Sequence, residues 1–272
     1  MILSHPFYGI MERKKWGIGM LLTEFDQTKK AIINPEDLID PILGFPETVV
    51  SCFARATFQR MLSEFDHQEI ARTSMANVDI PIYKIVIDGV ALALYNSPVG
   101  AAACVAIAED LWAFGARNFL LFGTCGVLAE EIAATSVIVP SAALRDEGTS
   151  FHYVSSSDEI ALSKESQQVL LDFLEEKGIS YCQGKVWTTD GIYRETVERL
   201  ARRKAAGAIC VDMECSAMTA WAAFREMTFC QFFYAADHLS EESWDPRSLS
   251  NHADLEEKDK IASLALEVAL RL

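Results

Sequence analysis

The sequence has no apolar run long enough to span the hydrocarbon core of a bilayer. Its N-terminus, MILSHPFYGIMERKKWGIGM, lacks the basic-then-apolar order of a secretion signal. The seven cysteines are odd in number and form no C-x-x-C pair. No Cys/His cluster has metal-ligand spacing either, so the cysteines read as buried, reduced thiols, and neither a disulfide framework nor a metal site is expected. Basic charge is scarce, with 24 Lys+Arg against 39 Asp+Glu and a net charge of −15. That balance argues against nucleic acid or a membrane surface as partner, since binding by counterion release needs a basic face. It leaves room for a small anion held by a few local donors. The G-x-G-x-x-G fingerprint is absent, which removes the main support for a nicotinamide oxidoreductase. A cytoplasmic protein is the expectation.

What is present is a normal globular mixture, half apolar and 23% charged, long enough at 272 residues to cover a sheet with helices. No repeat or low-complexity linker divides the chain. The reading is an N-terminal extension over residues 1–30, suited to packing on the body or on a neighbouring subunit, and one domain over 31–272. Tyr83–Ile87 and Val90–Tyr95 flank Asp88-Gly89, a pair that favours a two-residue hairpin turn. A small-residue stretch from Ser97 opens a helix that stops at Gly115. Asn118–Phe122 and Ser136–Pro140 read as strands. Ser163–Lys177 reads as an amphipathic helix with Val169, Leu170, Phe173 and Leu174 on one face. A strand ending at Val186-Trp187 follows, then a strand over Ala208–Val211, a helix over Met213–Met227 and a strand over Cys230–Ala236. The last helix begins near Asp254, where D-x-x-E with Glu257 predicts a capping box. This alternation predicts an α/β fold, a central mixed β-sheet flanked by helices on both faces. Ligands gather at the carboxyl ends of strands in such sheets, which points to Ser97–Gly100, Phe122–Gly126, Val211–Glu214 and Ala236–His238.

Each of these segments has a structural reading beside a functional one. Phe122-Gly123-Thr124-Cys125-Gly126 offers backbone N–H groups and a hydroxyl to an oxygen-rich ligand, or is only a tight turn. In Val211-Asp212-Met213-Glu214, a carboxylate suits two adjacent sugar hydroxyls, while acids at a helix start are favoured by the helix dipole in any case. Asp237, after the apolar strand CQFFYAA, is expected to have its proton affinity raised by desolvation, as a general acid requires; a surface acid is the alternative. Leu144–Tyr153 gathers Arg145, acids, hydroxyls, His152 and Tyr153, either as a charged turn or as a folded loop over a cleft.

In chain order, these motifs resemble the nucleoside phosphorylase family, which includes uridine phosphorylase, the hexameric bacterial purine enzymes and the methylthioadenosine nucleosidases. The resemblance runs from about Tyr83 to the C-terminus. It rests on A-E-D-L at 108–111, G-T-x-G at 123–126, R-D-x-G-x-S-x-H-Y at 145–153, T-D-G-I-Y at 189–193, V-D-M-E-x-S-A at 211–217 and A-D-H at 236–238. The resemblance implies cleavage of the N-glycosidic bond of a nucleoside, by default phosphorolysis to free base and pentose 1-phosphate. It implies that Met213 and Glu214 contact the sugar and that Asp237 acts on the leaving base at a ring nitrogen, which leans toward purines. It further implies that Gly100, Thr124, Gly126, Arg145, Ile192 and Tyr193 contribute to substrate binding. Ile192 stands where the family carries Phe, so base stacking there is expected to be weaker. No cofactor is implied beyond inorganic phosphate as co-substrate, and a homodimer or hexamer is expected.

The family's phosphate-binding arginines have no counterpart at three places: around Asn34–Leu38, at Leu121, and over Ala76–Pro81. Thr124, the Gly126 N–H and Arg145 remain for an anion. The alternatives are a nucleosidase of the same fold that uses water, for which Glu36 lies in a comparable region, and a catalytically silent nucleoside-binding protein. Retention of both Glu214 and Asp237 argues against the silent reading.

Overall fold

A computed structural model describes residues 21–249 and 253–272. Of the expected N-terminal extension, residues 1–20, His5 among them, lie outside the described residues; Leu21–Thr23 forms a single exposed 3-10 turn.

Eleven strands form one mixed sheet among the described residues. They are β1 (Thr48–Cys52), β2 (Gln68–Met75), β3 (Val78–Ile87), β4 (Val90–Asn96), β5 (Asn118–Val127), β6 (Val137–Asp146), β7 (Glu159–Ala161), β8 (Tyr181–Thr189), β9 (Ala208–Asp212), β10 (Thr228–Leu239) and β11 (Trp244–Asp245). The predicted hairpin forms: Ile87 pairs with Val90 across Asp88 and Gly89, both at positive φ, as a tight two-residue turn demands. β10 pairs with β5 in parallel and with β6 antiparallel, β6 with β8 and β8 with β9 in parallel, and β9 returns to β5 antiparallel. These five strands therefore close into a ring, and β1, β4, β3 and β2 extend the sheet from β5.

The helices are α1 (Arg55–Ser63), α2 (Ala101–Phe114), α3 (Lys164–Glu176), α4 (Val197–Ala205), α5 (Cys215–Arg225) and α6 (Leu255–Ala269). Strand residues alternate between two apolar layers, as a two-fold side-chain period requires. Val50, Leu120 and Phe122 pack with α1, α3 and α6, while Val49, Phe119 and Leu121 pack with α2 and α5. The ring encloses a third cluster that includes Val127, Ile138, Val186, Cys210 and Phe233. All seven cysteines are free, six of them buried.

The strands are longer than expected in three places, each with consequences for the site. β5 runs on through G-T-x-G, because those residues continue the ladder with β10 instead of turning. β6 carries Arg145 and Asp146, so that R-D is strand and not loop. β10 includes Asp237, with a bulge between Ala235 and Asp237. The expected capping box at α6 does not form: Asp254 has φ +50° and its side chain makes no cap hydrogen bond.

Candidate functional site

At one end of the ring, the ends of β5, β9 and β10 and the turn after β8 surround a cavity of about 650 Å³, within the usual range of small-molecule sites, about 300–1,000 Å³. Phe53, Val99, Cys125, Val211, Phe233 and Leu239 give it apolar walls, and Thr124, Glu195, Asp212, Glu214 and Asp237 bring polar groups. No Lys, Arg or His lines it among the described residues.

The sugar-holding candidate is built from the β9–α5 junction. Asp212, the last residue of β9, accepts the Thr188 hydroxyl on Oδ1 at 2.7 Å, and the Glu214 and Cys215 N–H groups on Oδ2 at 3.0 and 2.7 Å. It thereby caps α5 and fixes the backbone of Glu214. Gly100 anchors the Glu214 side chain, its N–H donating to Oε1 at 2.6 Å. Gly100 has φ +105°, a conformation that only glycine adopts readily. Glu214 lines the cavity with this backbone anchor in place, a position from which a carboxylate can meet sugar hydroxyls. Burial, and then the neighbouring Asp212 charge, push the Glu214 carboxyl above its ordinary range. Desolvation likewise raises Asp212, against the pull of its three hydrogen bonds. Met213 lies beside them on the cavity wall.

The base-side candidate lines the same cavity. Asp237 is half-buried and accepts the Trp244 indole N–H on Oδ2 at 2.7 Å. The apolar seat expected from CQFFYAA belongs to the preceding residues of β10, which are buried, while Asp237, just past the bulge, is only half-buried. Gly126 makes room for it: a Cβ there would stand 2.6 Å from Leu239 Cδ1 and 3.3 Å from Asp237 Oδ1. The raised carboxyl of this region is Glu195, pushed up to about 7 by burial and then by the charge of Asp237. Ile192 and Tyr193 line the rim, 54% and 94% exposed, and so offer a lid edge in place of an enclosed stacking surface.

Of the residues expected in the site, Met213, Glu214, Asp237, Thr124, Gly126, Ile192 and Tyr193 line this one cavity, and Gly100 touches it through Glu214. Arg145 does not. Its guanidinium donates to Ser150 Oγ, the Ser155 carbonyl and Ser157 Oγ at 2.7–2.9 Å and stacks on Phe151, so its donors are consumed in holding the loop that follows β6. The expected role of that loop as a cleft cover is corrected in the same way. Glu147 accepts Ser150 N–H and Ser216 Oγ, and Tyr153 donates to Glu109, which pins the loop onto α2 and α5. Glu36 is exposed and away from the cavity. Sequence reasoning missed Glu195, Phe53 and Trp244. Glu195, two residues past the quoted T-D-G-I-Y, carried the only local signal.

A ring-closed mixed sheet with a carboxylate-lined cavity at its strand ends defines an α/β protein with a site of small-molecule size. The model of the phosphorylase superfamily matches residues 56–272, and the chain belongs to that family. The match begins upstream of Tyr83, where the motifs first become legible. Curated relatives include the guanosine phosphorylase of Halorubrum lacusprofundi, 27% identical over 143 residues that cover 52% of this chain and 59% of that protein. A DeoD-type purine nucleoside phosphorylase of Bacillus cereus is 25% identical over 137 residues, covering 48% and 56%. The matched stretch thus spans less than two thirds of those relatives' length. Among solved structures, uridine phosphorylase from Vibrio fischeri superposes with TM-score 0.69 at 21% identity, covering 87% of this chain and 94% of that one. Purine nucleoside phosphorylase from Toxoplasma gondii gives 0.68 at 19%, covering 87% and 94%. These likenesses establish the fold.

Proposed function

We propose that the protein cleaves the N-glycosidic bond of a purine nucleoside, by phosphorolysis to free base and pentose 1-phosphate. The observation that carries this reading is that Glu214 and Asp237 line one nucleoside-sized cavity. Glu214, anchored by the Gly100 N–H, holds the sugar hydroxyls. An acid at Asp237 delivers a proton to the leaving base as the C–N bond stretches and positive charge grows on the sugar. Such proton transfer contributes about 10²–10⁴ in rate. Thr124 and the Gly126 N–H are the groups left for phosphate, and no cofactor takes part. The names of the curated relatives support phosphate as nucleophile and a purine as base.

One observation favours water instead. The cavity is lined by four carboxyl groups and, among the described residues, by no cation, an unfavourable setting for a phosphate dianion unless a neighbouring subunit supplies one. Val99, Ile192, Tyr193 and Trp244 are exposed and apolar around the mouth, which supports a homo-oligomer in which a second copy covers the site. No helix among the described residues is long and apolar enough to cross a membrane. We place the protein in the cytoplasm, where its unpaired cysteines stay reduced.

The test is incubation with inosine, adenosine, uridine and methylthioadenosine, with and without phosphate, followed by identification of the sugar product. Pentose 1-phosphate formed only with phosphate supports phosphorolysis; free sugar in both conditions assigns hydrolysis. Tight binding without turnover of any nucleoside overturns the enzymatic reading. Asp237→Asn is expected to lose about 10²-fold or more in turnover of purine nucleosides while still binding them. Unchanged turnover removes Asp237 from the mechanism.

A further inference from the structure

In the R-D-x-G stretch, three successive residues reach segments that build the cavity, although none of the three lines it. Asp146, the last residue of β6, is partly buried and accepts three donors. Arg199 Nη2 donates to Oδ1 at 3.0 Å, and Arg203 Nη2 and the Trp187 indole N–H donate to Oδ2, each at 2.9 Å. Glu147 is buried and accepts the hydroxyl of Ser216 at 2.8 Å, in the first turn of α5, two residues past Glu214. The Gly148 N–H donates to Asp190 Oδ2 at 2.9 Å, where the turn after β8 begins. That turn supplies Ile192, Tyr193 and Glu195 to the cavity lining, yet none of Ile192, Tyr193 and Arg194 is buried. α4, which follows it, buries only Leu200. A segment with so little apolar burial is held by its polar contacts. Arg199 is the direct link, because its Nη1 also donates to the Arg194 carbonyl at 3.4 Å. One side chain thus spans from the end of β6 to the residue between Tyr193 and Glu195.

We propose that Asp146 is a positioning residue for the base: through Arg199 and Arg203 it fixes α4 and the Ile192–Glu195 wall, while the adjacent Glu147 positions the sugar side through Ser216. This rests on the nucleoside-cleaving reading of the site. Asp146 is in register with Thr189 in the β6–β8 ladder, so its own backbone is set by the sheet. Its ion pairs with Arg199 and Arg203 are partly buried, and such pairs are screened by solvent less than exposed ones. Loosening Asp146 frees the wall that meets the base and leaves the Glu214 backbone in place, because that backbone is held by Asp212. Loosening Glu147 acts on the start of α5 instead. Two neighbouring residues therefore control two parts of one ligand.

The experiment compares the full-length wild type with Asp146→Asn and Glu147→Gln, each checked for folding by urea unfolding. Calorimetry measures the binding of adenosine and inosine and of their free bases, adenine and hypoxanthine. Asp146→Asn puts a donor NH2 where an acceptor oxygen stood. It is expected to weaken free base and nucleoside alike by about 10-fold, and to raise nucleoside KM by a similar factor with a smaller change in kcat. Glu147→Gln is expected to weaken the nucleoside and leave the free base unchanged. Amide hydrogen exchange needs neither ligand nor turnover. In Asp146→Asn it is expected to quicken about 10-fold over residues 191–200 and to stay as in the wild type over 215–219, with the reverse pattern in Glu147→Gln. If no nucleoside is bound or cleaved, the function reading fails, and the exchange pattern still decides whether Asp146 holds this wall. Arg203→Ala breaks the same tie from α4 and carries the same expectation should Asp146→Asn not fold. Unchanged free-base affinity in Asp146→Asn, unchanged exchange over 191–200, or the same pattern of losses in both variants overturns the proposal.

Discussion

Asp212 is where the stability of the fold and the geometry of the site meet, and its removal gives a quantitative test. Its carboxylate accepts three hydrogen bonds, from Thr188 Oγ1 and from the N–H groups of Glu214 and Cys215. A hydrogen bond to a charged group stabilises by about 1.5–3 kcal/mol, and losing a helix N-cap costs about 0.5–2 kcal/mol. The three bonds share one acceptor and do not add in full. Removal also relieves the carboxylate's own burial cost and its repulsion with Glu214 and Glu147. We therefore expect Asp212→Ala to lose about 3 kcal/mol in urea-induced unfolding, or roughly 6–12 °C in Tm for a chain of this size. Asp212→Asn, whose amide keeps one acceptor oxygen, is expected to lose about half as much. A second readout concerns Glu214. Its carboxyl is raised by burial and then by Asp212, and only its ionised form accepts from two hydroxyls. Removing the Asp212 charge lowers that proton affinity, so the pH below which nucleoside KM rises moves down in Asp212→Asn. A loss under about 1 kcal/mol in Asp212→Ala, or an Asn variant less stable than the Ala variant, refutes the capping argument.

Two further outcomes follow from the same geometry. Gly100→Ala forces a Cβ onto a backbone at φ +105°, a strain of about 1–3 kcal/mol; the N–H moves off Glu214, and steady-state kinetics are expected to show a raised KM with a smaller change in kcat. Arg225 donates to both oxygens of Glu109 at 2.8 and 3.1 Å and lies 4.4 Å over the Trp112 ring, in a pair whose side chains are 13% and 12% exposed. Among the described residues, Arg225→Ala leaves Glu109 with only the Tyr153 hydroxyl, and it is expected to cost about 3–5 kcal/mol in denaturant unfolding, with activity per folded molecule retained because the pair lies outside the cavity.

Much of this arrangement is legible in the chain. The Asp88-Gly89 hairpin, α2 ending before Gly115, the amphipathic α3 and the β9–α5 junction all follow from turn chemistry and periodicity, which act over a few neighbouring residues. So do the four strand-end segments that converge on the cavity. Where the reading stops short, a non-local ladder overrides the local signal. G-T-x-G looks like a turn, yet pairing with β10 keeps it extended. Pro140 looks like a strand end, yet β6 runs past it to Asp146, beside β8. Arg145 looks like an anion ligand, because the sequence does not show that Ser150, Ser155 and Ser157 fold back onto it.

The sequence by itself determined the class of fold, the order of its elements and which acids stand at strand ends, because hydrophobic period and glycine placement are written residue by residue. Only the tertiary structure decided that the sheet closes into a ring, since that closure rests on pairings between strands far apart in the chain. It also decided which carboxyl groups share a cavity. Glu195 gains its raised proton affinity not from its neighbours in sequence but from burial and from Asp237, brought beside it by β10. Desolvation and Coulomb repulsion depend on distance in space, and the fold sets that distance.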